Sequence, residues 1–151
     1  MVKDPQAARY REIEIRTATP TELVVLMYDS AISALQQARD FMHSGDIAGR
    51  ARGLNKASSI LTELQATLNF EAGGEIARSL DRLYAYMRNS LFEATTRQDV
   101  SPIDEVVRLM TNLRSAWIEV AKSEADRRKE TAQPPAPLAG TAPALSLSVT
   151  A

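Results

Sequence analysis

The chain has 151 residues, a net charge of −1, no cysteine and one histidine. That length fits one domain with its own core, and the charge balance speaks against general nucleic-acid or anionic-membrane binding. The missing Cys excludes thiol catalysis and disulfides, and one His excludes a His-rich metal centre. Ala, Leu, Glu, Arg and Gln are abundant and aromatics scarce, a palette that favours helix. Met1 to Tyr10 lacks the apolar core of a signal peptide, and the longest apolar run, Leu23 to Met27, is too short to span a bilayer. The expectation is a soluble, cytosolic chain without membrane insertion.

Residues 1–18 form a charged, mixed leader with a short apolar series at Tyr10, Ile13 and Ile15. Thr19-Pro20-Thr21-Glu22 then reads as a capping box with Pro at the first helical position. This predicts a helix from Pro20 to about His43, stopped by Ser44-Gly45. Asp46 is the next N-cap, and Ile47, Ala51, Leu54, Ala57, Leu61, Leu64 and Leu68 recur at helical spacing. Asn69 to Gly74 breaks that helix. A third starts near Gly74-Glu75, with Ile76, Leu80, Leu83, Met87, Leu91 and Ala94 on one face. After a break at Gln98 to Ser101, Ser101-Pro102 caps a fourth, carrying Ile103, Val107, Met110, Leu113, Trp117 and Ala121. Trp117 is expected in the core between the third and fourth of these helices. Residues 131–151 hold four of the seven prolines and no charge, and read as a disordered tail. The predicted fold is all-α: an antiparallel four-helix bundle over 19–130, with a short leader and that tail.

The search for catalytic groups comes back empty. His43 sits where a helix should end and serves there as a dipole-facing cap. Gly73-Gly74 has neither a preceding strand nor a following Lys-Ser/Thr, so it reads as a turn, not a phosphate loop. No cofactor or metal site is expected, and no enzyme.

The informative signal is surplus apolar surface. On the first predicted helix, Leu23, Met27, Ala34, Ala38 and Phe41 share one face, and Val25, Tyr28, Ile32 and Leu35 form a second stripe. Together they span roughly twice the arc of about 100° that a surface helix must bury. Two readings fit: each bundle helix meets two neighbours, or a groove accepts an extra helix from a partner. Tyr86 and Phe92 fall outside the main stripe of the third helix, on opposite sides, as further contact points. Ala31, Ala34 and Ala38 would let a neighbouring helix approach closely.

These residues, in their order, resemble the flagellar secretion chaperones for flagellin, the FliS type. The resemblance runs from about Tyr10 to Val120. It is carried by Tyr10-Arg-Glu-Ile13, Thr17-Ala-Thr-Pro-Thr-Glu-Leu23, Met27-Tyr28-Asp29 and Leu54-Asn55-Lys56-Ala57. Gly73-Gly74-Glu75-Ile76-Ala77 and Leu83-Tyr84-Ala85-Tyr86-Met87 are its most specific part, and Trp117 completes it. The resemblance implies a cytoplasmic bundle that binds the C-terminal segment of flagellin. It would stop premature polymerisation and deliver the client to the flagellar export gate. It also implies that the leader, through Tyr10 and more loosely Ile13, helps form or cover the partner groove. The partner-binding set expected is therefore Tyr10, Ile13, Val25, Tyr28, Ile32, Leu35, Tyr86 and Phe92. A self-assembling structural bundle, homodimeric when free, is the alternative.

Overall fold

A computed structural model of the chain describes residues 4–132. They form five helices: α1 (Pro5–Thr17), α2 (Pro20–Ser44), α3 (Ile47–Ala66), α4 (Phe70–Arg97) and α5 (Ser101–Ala132). No strand occurs among the described residues. The tail expected at 131–151 lies outside them, except that residues 131 and 132 still belong to α5.

Side chains at the helix ends explain most of the boundaries. Asp4 caps α1 by accepting from the Gln6 amide at 3.0 Å. Thr19 caps α2 by accepting from the Glu22 amide at 3.2 Å, and its hydroxyl donates to the Glu22 carboxylate at 3.0 Å. Gly45, at φ 79°, closes α2, and Asp46 then accepts from the Gly49 amide at 2.8 Å to open α3. The third predicted helix begins earlier than expected. Asn69 caps a turn from Phe70, and the chain then kinks at Gly74 (φ 49°, ψ −124°) before α4 continues. Only glycine adopts that backbone without strain. At α5 the capping side chain is not Ser101 but Asp99, two residues earlier: its carboxylate accepts from the Ser101 amide at 3.0 Å, and Ser101 is already helical.

Long-range pairs give the topology. Asp29 meets Arg114 and Arg39 meets Asp104, so α2 and α5 run antiparallel. Gln65 donates to Asp81 and Arg88 to Thr62, which makes α3 and α4 antiparallel as well. Tyr86 reaches Glu105 between α4 and α5. The backbones of α2 and α3 run closest. A Cβ on Gly53 would stand 2.7 Å from the Ala34 carbonyl oxygen, and one on Gly49 would stand 2.6 Å from the Phe41 ring. The small residues of α2 allow this approach. The core consists of Tyr28, Leu35, Leu54, Leu61, Leu64, Tyr84, Met87, Leu91, Ile103, Val106 and Met110, with alanines between them.

The chain divides into two compact units at Ile118/Glu119. The first holds α1 to α4 and α5 as far as Ile118. In the second, α5 continues to Ala132, with Val120 exposed.

Candidate functional site

The kink at Gly74 ends one turn and starts the long run of α4 with Ile76 in its first turn. Ile76 is 74% exposed, although it continues the apolar stripe of Leu80, Leu83 and Met87. Leu80 and Leu83 are only partly buried, as is Leu113 on α5. These four side chains line an open depression of about 330 Å³, rimmed by Glu75 and Ser79. Glu75 pairs with Arg78 at 2.6 Å, which keeps that rim solvated. Such a concave apolar strip between two helices fits the apolar face of a third.

Farther along α4, Tyr86 continues the same flank. Its hydroxyl donates to the Glu105 carboxylate of α5. That bond requires the phenolic proton, so it raises the pKa of Tyr86; a hydrogen bond with Ser90 opposes the shift, and the nearby carboxylates of Glu105 and Glu93 add to it. A more polar hollow of about 460 Å³ follows, lined by Tyr86, Ser90, Glu93, Arg97 and Glu105 among others. The α4/α5 surface is thus apolar near Ile76 and polar near the α4–α5 turn.

Behind these walls three aromatic residues meet in the core. The Tyr28 and Tyr84 hydroxyls share a 2.7 Å hydrogen bond, and the Trp117 indole N–H donates to the Tyr28 oxygen at 3.3 Å. Burial pushes both phenols above their ordinary range; at Tyr28 the Tyr84 hydroxyl adds to the shift and Trp117 opposes it. Arg114 donates to Asp29 one turn before Trp117.

The structure redistributes the site residues read from the sequence. Tyr28 and Leu35 are fully buried, so they are core and not a surface stripe. The pattern of α2 held two apolar stripes, and the hydroxyl partners available to Tyr28 sit inside, on α4 and α5. Val25 and Ile32, from the same stripe, are only partly buried. Tyr86 and Phe92 are 47% and 69% exposed. They lie about 120° apart around α4, so no single surface unites them. Trp117 packs against the core and interacts with Tyr84 of α4, but it is only half-buried and also donates to Tyr28 of α2. Residues 1–18 contain a fifth helix that periodicity did not suggest. All of α1 is exposed, with Tyr10 at 73%. Its helical turn puts Tyr10 and Ile13 on one side and swings Ile15 about 140° away from Tyr10. Sequence reasoning missed Ile76, Leu80, Leu83 and Leu113 as a site because they match a core stripe. The available signal was the position of Ile76, directly after the Gly-Gly break.

Comparison with known proteins decides the family. The profile of the family described as "Flagellar protein FliS" matches residues 2–124. This chain belongs to the FliS family. It is 39% identical over 111 residues to the flagellar secretion chaperone FliS of Salmonella typhimurium, covering 73% of this chain and 82% of that one. It is 30% identical over 123 residues to the flagellar secretion chaperone FliS of Bacillus subtilis, covering 82% and 90%. A solved structure described as a flagellar chaperone from bacteria superposes with a TM-score of 0.65 at 18% identity, over 79% of this chain and 99% of that one. That likeness shows a shared fold. In this FliS chain, no helix among the described residues is long and apolar enough to cross a membrane. No group of three metal-binding side chains occurs among them either.

Proposed function

We propose that this FliS chain is a non-enzymatic export chaperone that binds the C-terminal segment of flagellin. It keeps the client from polymerising in the cytosol and delivers it to the flagellar export gate. The observation that carries the reading is the apolar strip of Ile76, Leu80, Leu83 and Leu113, left open beside a well-packed core. An amphipathic segment of the client lays its apolar face there in place of a neighbouring flagellin. Tyr10 and Ile13 of α1, exposed in the free chain, supply further apolar contact when α1 closes over the bound client. A client that folds on binding wraps a large surface but loses ordering entropy, which favours release on handover without nucleotide hydrolysis.

The test is co-purification with a flagellin C-terminal peptide, with size-exclusion chromatography before and after mixing. A one-to-one complex supports the chaperone. A tight homodimer that ignores the peptide overturns it in favour of a self-assembling bundle.

A further inference from the structure

We propose that the Tyr28 hydroxyl is a positioning group that sets the width of the α4/α5 groove. It ties the helix of one groove wall to the helix of the other. The proposal rests on the α4/α5 groove being the client site. Leu83, a wall residue on α4, is followed directly by Tyr84, whose hydroxyl bonds Tyr28 at 2.7 Å. Leu113, the wall residue on α5, stands one turn before Trp117, whose indole N–H donates to Tyr28 at 3.3 Å. Tyr28 itself is on α2 and fully buried. The two groove walls are therefore braced through a third helix behind them.

The chemistry suits a brace better than a packing contact. A phenol oxygen takes one hydrogen bond from the indole and shares another with the second phenol, and both lie in a region of low water content. An apolar contact would let the helices slide, whereas two directional bonds fix their spacing. Both phenols carry their protons at neutral pH, so the chain of bonds persists there. The Arg114–Asp29 pair holds α5 to α2 at the same level. The backbones of α4 and α5 make few close approaches, so groove width depends on side chains: the Tyr28 bonds behind the groove and the Tyr86–Glu105 bond farther along it.

Because the chain has no cysteine, Arg82→Cys on α4 and Asn112→Cys on α5 can carry paired spin labels without other changes. Both positions are exposed and next to wall residues. In the free protein, Tyr28→Phe should broaden the distance distribution between these labels. In unlabelled protein it should raise the Kd for the flagellin C-terminal peptide about tenfold. Gly53→Ala, at the α2/α3 seam, should lower the thermal midpoint and leave both readouts in place. Tyr84→Phe, which spares the Trp117–Tyr28 bond, should give a smaller broadening, and replaces Tyr28→Phe if that variant does not fold. An unchanged distance distribution overturns the brace, whatever happens to stability. A broadened distribution with unchanged peptide affinity overturns its role in client binding. If wild-type protein ignores the peptide while Tyr28→Phe broadens the distances, the flagellin reading falls and the brace stands.

Discussion

At the scale of single residues, Tyr28 and Trp117 depart most from what their pattern suggests. Tyr28 belongs to an apolar stripe, yet its hydroxyl is the centre of a buried polar contact. Its raised pKa has a consequence for stability. In the unfolded chain a phenol ionises near pH 10, while in the fold burial holds Tyr28 and Tyr84 protonated to higher pH. The contribution is fully present below about pH 10 and is lost as pH rises toward the folded values, because the unfolded state gives up its protons first. Urea midpoints should therefore fall between about pH 9 and 11, and fall less in Tyr28→Phe. Equal slopes in the two proteins would assign the alkaline loss to other groups. Trp117 is half-buried, so truncation leaves a cavity open on one side. Trp117→Ala should cost about 3 kcal/mol, the lower end of the range for aromatic truncations. A thermal melt with an unchanged midpoint would place the indole outside the fold's stabilising contacts.

At the scale of elements, α3 and α1 make opposite cases. The face of α3 toward α2 is built on Gly49 and Gly53, and its tightness comes from absent side chains. Gly53→Ala gains helix propensity, about 1 kcal/mol. It also drives a methyl group into the Ala34 carbonyl and the Ala38 methyl, at 2.7 and 2.8 Å. Backbone cannot swing away as a flexible side chain does, so the net change should be a loss of about 1–3 kcal/mol by chemical denaturation. A stabilised variant would mean that the two helices separate freely. In contrast, α1 has no buried residue. Its caps and the Arg16–Glu12 pair at 2.6 Å are its own. A lone helix of 13 residues is marginal in water. Its amides at 10–16 should exchange fast in the free protein and slow on binding of the flagellin peptide, more than those around Leu80 and Met87. Unchanged exchange would reduce α1 to a passive leader.

At the scale of the whole molecule, an open apolar strip lies between α4 and α5 beside the closely packed core of the first unit. Small residues draw α2 and α3 together, whereas α5 is held by long side chains: Arg39–Asp104, Arg114–Asp29, Tyr86–Glu105 and Trp117–Tyr28. This difference in reach leaves Leu80, Leu83 and Leu113 partly uncovered. The helical fold, the Thr19 and Asp46 caps and the close approach at Ala34 and Ala38 were legible in the sequence alone. They depend on neighbours within a few residues, or on side-chain size, and both are printed in the chain. The ordered motifs from Tyr10 to Trp117 also carried the FliS resemblance. The helical state of residues 5–17 was not legible, because a short charged segment has no apolar periodicity to report. Nor could the sequence say which stripe of α2 faces inward, since periodicity marks apolar faces without naming their neighbours. Only the tertiary structure decided that Tyr28 and Leu35 are core and that Ile76 and Leu113 border open space. That choice depends on the distance between helices, which is set by residues far apart along the chain.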